Sequence, residues 1–193
     1  MSYKVYTTEA LVIGSFASNT ADKSYLLFTK EAGLLYATAR SVREERSLQR
    51  YALQDFSHIK VSLIKGKSGW RIGSVSNETN YFSATTTRAA RGSVVRVVKL
   101  VRRYIHGEEP HSALFTELVN ALTIIGQANI NNRPLAEEII TARLLHTLGY
   151  IDELTELIPV FNGTLSSAIT VVPDGLLPLL QAVTKTAAQA SHL

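Results

Sequence analysis

Short apolar runs separated by turn-forming residues fill roughly the first eighty positions. Ala10-Leu11-Val12-Ile13-Gly14-Ser15-Phe16, Tyr25-Leu26-Leu27-Phe28-Thr29 and Leu34-Leu35-Tyr36-Ala37-Thr38-Ala39 read as three strands, with turns over 19–23 and 31–33. A polar stretch then runs from Arg40 to about Gln54. His58-Ile59-Lys60-Val61-Ser62-Leu63-Ile64-Lys65 alternates, with Ile59, Val61 and Leu63 on one face, the period of a half-buried strand. Gly66-Lys67-Ser68-Gly69 reads as a hairpin turn with glycines available for positive φ. Trp70-Arg71-Ile72-Gly73-Ser74-Val75 alternates again.

After about Ser83 the period changes. Residues 88–105 form a run too long for one strand. Wound as a helix, it gathers Arg88, Arg91, Arg96, Lys99, Arg102 and Arg103 within an arc of roughly 140°. Gly107 and Pro110 stop it. Residues 112–125 place Leu114, Leu118, Leu122 and Ile125 on one face. Asn131-Asn132-Arg133-Pro134 opens a further helix, with Leu135, Ile139, Ala142 and His146 on one face. Residues 152–158 read as a short helical piece, 162–175 as a loop or irregular β segment, and 176–189 as a last helix with Pro178 in its first turn. The class expected is α+β: a five-stranded Greek-key barrel of the OB type over 1–82, followed by an all-helical domain over 83–193.

Charge sharpens this division. Of 193 residues, 20 are Lys or Arg and 16 are Asp or Glu. Residues 1–107 hold 17 of the basic and 7 of the acidic groups, a formal +10. The remainder carries −6. Such a split points to a polyanionic partner held by counterion release, against the plainer reading of a solvated basic surface. With no cysteine there is neither a disulfide nor a thiolate zinc site. No apolar run reaches membrane-spanning length, and Met1-Ser2-Tyr3-Lys4 lacks the apolar stretch of a secretory signal. An intracellular protein is the simplest reading.

Three patterns resemble catalytic or metal motifs and fail on context. Gly66-Lys67-Ser68 looks like the end of a phosphate-binding loop, but Val61 stands where its first glycine belongs, and it joins two strands. His106-Gly107-Glu108-Glu109-Pro110-His111 reads as a solvated connection rather than a metal site. His146, on an apolar helix face, reads as a core histidine hydrogen-bonded to backbone. No nucleophile elbow or triad spacing stands out, so no enzyme and no cofactor are expected.

The basic residues suit phosphate instead. Arg40, Arg43, Arg46 and Arg50 recur at spacings of three and four, one stripe if helical and one crowded side if looped. Forked guanidinium donors match phosphate oxygens. Lys60, Lys65, Lys67 and Arg71 flank the second hairpin. Single-strand binders add aromatic platforms to such a groove. Tyr25 and Tyr36 are expected in the barrel core, whereas Trp70 suits core and platform equally. The stripe from Arg88 to Arg103 either extends the nucleic-acid surface or pairs with acids of the second half; both can hold. Phosphate contacts carry no base readout, so little sequence specificity is expected.

In order, Thr8-Glu9-Ala10-Leu11-Val12, the run from Ala21 to Gly33, Ala39-Arg40-Ser41-Val42-Arg43, Leu53-Gln54-Asp55-Phe56-Ser57 and the run from Val61 to Trp70 resemble the N-terminal OB domain of the bacterial RecO family. Leu114-Phe115 and Leu144-Leu145-His146-Thr147-Leu148-Gly149-Tyr150 resemble its helical domain. The resemblance covers about residues 7–150. It implies a non-enzymatic recombination mediator in DNA repair. Such a protein binds single- and double-stranded DNA, anneals complementary strands and helps load the recombinase on strands coated by single-strand-binding protein. The partners it implies are RecR and the C-terminal tail of single-strand-binding protein. By position it places Arg40 and Arg43 in the basic motif after strand three, and Lys23 and Lys30 around strand two. Many members carry a four-cysteine zinc site that this chain lacks, and residues 151–193 lie outside the resemblance. Two other readings stay open: an adaptor whose OB surface holds the acidic tail of single-strand-binding protein, and an RNA-binding OB protein.

Overall fold

The computed structural model describes residues 4–127, 132–152 and 155–190. Asn131, at the expected opening of a helix, and Glu153 and Leu154, in the expected helical piece, lie outside the described residues, as do Met1, Ser2 and Tyr3. The described chain divides into two compact units. One comprises residues 1–84 and 105–116, the other residues 85–104 and 117–193.

The first unit is built on a closed barrel with strand order β1-β2-β3-β5-β4. Its strands are β1 (Val5–Ala17), β2 (Lys23–Thr29), β3 (Gly33–Ala39), β4 (Ser57–Gly66) and β5 (Gly69–Asn80). All neighbours are antiparallel except β3 and β5. This is the OB barrel expected from the sequence. Alternate residues fill it: Ala10, Val12, Tyr25, Leu27, Leu35, Ala37, Ile59, Val61, Leu63, Trp70 and Ile72 share one core with Val42 and Leu53 from the connection after β3. Ile59, Val61 and Leu63 are buried together, as their alternation required.

Two strands are longer than the apolar runs suggested. β1 begins at Val5 because its polar start pairs with β4 from Val5↔Ile64 to Leu11↔His58, while its second half pairs with β2. A register shift between Val12 and Gly14 helps one strand serve two neighbours. β5 continues to Asn80, opposite Ser57, although its outer residues are polar. Ladder hydrogen bonds, which do not depend on side-chain polarity, extend both strands. In the β4–β5 hairpin only Gly69 takes a positive φ, at 104°.

The polar stretch after β3 is a series of turns ending in the short helix α1 (Gln49–Ala52), so Arg40, Arg43, Arg46 and Arg50 do not form a helical stripe. Returning to this unit, the segment from Ile105 lies along β3, where the Leu34 amide donates to the Gly107 carbonyl at 2.8 Å. Its side chains are largely exposed, but its backbone is bound to the barrel.

In the second unit, α2 (Arg88–Tyr104) buries Val94, Val97, Val98 and Val101. α3 (Ser112–Ile125) buries Leu118, Leu122 and Ile125 beyond the unit boundary at Thr116. α4 (Arg133–Thr147) begins at Asn132, whose side chain accepts from the Leu135 amide, with Pro134 in the first turn. His146 stacks on Phe161 with centroids 4.3 Å apart; among the described residues this ring contact, not the expected backbone hydrogen bond, holds it. A 3-10 turn (Thr155–Leu157), α5 (Ile158–Phe161), α6 (Leu165–Val171) and α7 (Leu177–Ala190) follow.

The helix α6 overturns the expectation of a loop or irregular β segment over 162–175. The β-branched Ile169-Thr170-Val171-Val172 carries a weak preference for extended chain. Thr164 overrides that weak preference by accepting from the Ser167 amide, and Leu165 and Ala168 bury one face.

Candidate nucleic-acid interface

The arginine-rich connection after β3 is held in place by the loop between β1 and β2. The Asn19 side-chain oxygen accepts from the amides of Ala21 and Asp22 at 3.0 and 2.7 Å. Asp22 accepts from the Ser41 amide at 2.8 Å, where Ser41 takes φ 50°. That hydrogen bond, helped by Asn19 and the nearby Arg40 charge, holds the Asp22 carboxyl below its ordinary range. Arg43 closes the stitch twice: its amide donates to the Ala21 carbonyl at 3.0 Å and its guanidinium to the Asn19 carbonyl at 2.9 Å. Val42 and Leu53, both buried, anchor the same connection in the core.

Between these loops lies a cavity of about 530 Å³ whose lining includes Lys23, Tyr25, Arg43, Arg50, Gln54 and Asp55. The Lys23 ammonium sits 5.3 Å from the Tyr25 ring centroid. Tyr25 is 1% exposed, as expected for a core residue, and burial pushes its phenol up to about 12. The Arg50 guanidinium lies 4.8 Å from the ring centroid of the exposed Tyr51 and donates to its hydroxyl at 2.7 Å. Three cations thus converge on one opening, with Arg40 and Arg46 exposed on the same connection. Arg46 pairs with Glu44 at 3.0 Å, a solvent-screened contact that leaves it available to a stronger anion.

Not every basic residue joins this group. Lys23 opens β2 and Lys30 follows its last residue, so they lie roughly 23 Å apart along the strand. Lys30 pairs with Glu9 at 3.0 Å, and that hydrogen bond, despite some opposing burial, holds the Glu9 carboxyl below its usual range. Lys65 pairs with Glu108 at 3.1 Å. Trp70 is 9% exposed and its indole N–H donates to the other Glu108 oxygen at 3.0 Å, which resolves the two readings of Trp70 in favour of the core. Lys60 and Lys67 are exposed, Lys67 within the hairpin turn, and Arg71 lies opposite Thr38.

Tyr36 was expected in the core and is instead 60% exposed. Leu35, Ala37 and Ala39 face inward, so parity along β3 turns Tyr36 out with Thr38. It meets Phe16, 47% exposed, edge to face at 5.6 Å. Sequence reasoning missed this pair. The signal was present: the small residues Ala37 and Ala39 fit the crowded interior, which leaves the bulky Tyr36 to the other face.

On the helical unit, Arg88, Arg91, Lys99, Arg102 and Arg103 are exposed along α2. Arg96, on the same stripe, is bidentate to Glu137 of α4 at 2.5 and 2.7 Å, and Ser93 donates to the same carboxylate at 2.6 Å. Burial alone would raise the Glu137 carboxyl, but the hydrogen bonds from Arg96 and Ser93 and the charges of Arg96 and Arg133 outweigh it. The carboxyl therefore titrates below its ordinary 4.5. A group depressed in the folded state stabilises fully above its unfolded pKa and loses that contribution as pH falls through its folded value. The helical unit should accordingly lose stability as pH drops below about 4.5, and Glu137→Gln should flatten that part of a pH series of urea denaturations.

Among the described residues no cluster of His, Asp and Glu could hold a metal ion, and no helix is long and apolar enough to cross a membrane. Residues 1–78 match the family model described as "Recombination protein O N terminal". The chain is 28% identical over 152 residues to the DNA repair protein RecO of Desulfitobacterium hafniense, covering 79% of this chain and 55% of that protein. It is also 28% identical over 158 residues to that of Heliobacterium modesticaldum (79% and 54%), and 24% identical over 151 residues to that of Dehalococcoides mccartyi (78% and 59%). The chain thus spans little more than half the length of these curated relatives. The match of residues 1–78 to that family model and the similarity to these relatives support a place for this chain in the RecO family.

Proposed function

We propose that this chain binds nucleic acid in DNA repair and recombination, as a mediator that does no bond chemistry of its own and works in the cytoplasm on the nucleoid. The observation that carries this reading is the convergence of Lys23, Arg43 and Arg50 on one opening of an OB barrel, flanked by the exposed Arg40 and Arg46. Lys60, Lys67 and Arg71 on the barrel, and Arg88, Arg91, Lys99, Arg102 and Arg103 on α2, supply further positive charge. The similarity to proteins named DNA repair protein RecO makes DNA the substrate to test first. Binding of single and double strands, annealing of complementary strands and loading of a recombinase on strands coated by single-strand-binding protein are the activities proposed. RecR and the tail of single-strand-binding protein are the partners proposed.

The test is fluorescence anisotropy of a labelled strand at low salt. Charge reversal of Arg40, Arg46 and Arg50 to Glu, which spares the structural Arg43, should weaken binding on the order of 10-fold or more. The dependence of log affinity on log salt should become shallower by about 0.7 for each single-strand phosphate that the variant no longer neutralises. Undiminished binding by the reversed variant would count against this reading. The cationic opening also suits the carboxylates of an acidic peptide, which favours an adaptor as the second reading. A pull-down with single-strand-binding protein, with and without its tail, separates the two: tail-dependent capture without measurable DNA affinity supports the adaptor.

A further inference from the structure

We infer that one outward row across β1, β2, β3 and β5 is a base-stacking platform for unpaired nucleobases, with Phe16 and Tyr36 as its stacking surface and Arg71 at its far edge. This rests on the reading that the barrel binds nucleic acid. Across the sheet, Phe16↔Ser24, Ser24↔Thr38 and Thr38↔Arg71 are successive partners in register. Their chain neighbours Tyr25, Ala37 and Trp70 all belong to the core, so these four side chains share the outward face. At about 4.8 Å per strand, the row measures about 14 Å from Phe16 to Arg71. Tyr36 lies two residues from Thr38 on the same face and packs its edge against Phe16.

The composition of this row matches a single strand rather than a protein or a duplex. Two half-exposed rings offer flat apolar surface to any base, since every base has a π-face. Ser24 and Thr38, whose hydroxyls lie 3.2 Å apart, offer small polar groups between them. Arg40, exposed and two residues past the outward Thr38, follows β3 directly, whereas Lys23, next to the outward Ser24, lies with Tyr25 on the other face. The Arg40 charge therefore borders the row, as a backbone running past stacked bases requires. A duplex keeps its base faces stacked inside and gains nothing from the rings. The platform consequently makes the protein prefer single strands, a discrimination that its phosphate contacts cannot provide.

The experiment compares three labelled probes by anisotropy: oligothymidine, an abasic strand of the same length, and a duplex. The protein should bind oligothymidine on the order of 10-fold more tightly than the abasic strand. Phe16→Ala combined with Tyr36→Ala should lose about that factor on oligothymidine and stay within about 2-fold on the abasic strand and the duplex. Phe16→Tyr with Tyr36→Phe should retain binding, because stacking needs the ring and not the hydroxyl. Equal affinity of the unaltered protein for oligothymidine and the abasic strand overturns the platform without any mutation. So does an equal loss on all three probes. Failure of the unaltered protein to bind any probe removes the nucleic-acid reading itself, and the platform with it.

Discussion

Arg143→Met is expected to lower the stability of the helical unit by about 3–5 kcal/mol, the cost of breaking a buried charged network from one side. Arg143 is only 7% exposed, and the groups it binds lie in its own unit. Its Nε donates to the Val160 carbonyl at 2.6 Å, and its two terminal nitrogens to Glu117 at 2.8 Å and to the Asn162 carbonyl at 3.0 Å. One guanidinium thus ties α4 to α3 and to the end of α5. Methionine fills comparable volume but strands two carbonyls and a carboxylate without their donor. Lysine keeps the charge and loses the fork, so Arg143→Lys should recover little. Urea denaturation followed by circular dichroism reads the effect. A change under about 1 kcal/mol would mean that the network adds nothing to folding.

Gly33→Ala is expected to cost the barrel unit about 3 kcal/mol, from left-handed strain and steric overlap together. Gly33 opens β3 with φ 62°, a conformation that glycine adopts freely and alanine does not. A Cβ there would stand 2.7 Å from the Glu109 nitrogen and closer still to its carbonyl oxygen. Backbone cannot step aside as a flexible side chain can. The segment from Ile105 would have to lift from β3, breaking the bond from the Leu34 amide to the Gly107 carbonyl. Trp70 fluorescence is a direct reporter, because Glu108 of that segment accepts the indole N–H. A red-shifted emission together with a lower melting temperature is the expected result. Unchanged emission and melting would show that the segment tolerates the displacement.

Much of the architecture could be read from pattern alone. Alternation in β4 fixed which residues enter the barrel, because a strand has two faces and only one was apolar. The period of α2 fixed its basic stripe, and glycine and proline fixed its end. Short-range rules failed where an equally local signal opposed them. Around α6, β-branched residues argued for extended chain, while the capping Thr164 and the two buried positions Leu165 and Ala168 decided for helix. For Tyr36, size and apolarity argued for burial, yet parity along β3 left no choice once Ala37 was inside.

The candidate site was legible as a list of cations and not as a place. By itself, the sequence determined the barrel, the longer helices that follow it, and the concentration of positive charge before Glu108, because period, turn chemistry and charge are properties of neighbouring residues. Only the tertiary structure decided which cations lie together. Lys23, Arg43 and Arg50 meet because two loops far apart in sequence are stitched through Asn19, Asp22 and Ser41. Lys30, Lys65 and Arg96 are matched with Glu9, Glu108 and Glu137, partners 21, 43 and 41 residues away. Trp70 turned inward and Tyr36 outward for the same reason: closing the barrel sets which face of each strand meets water.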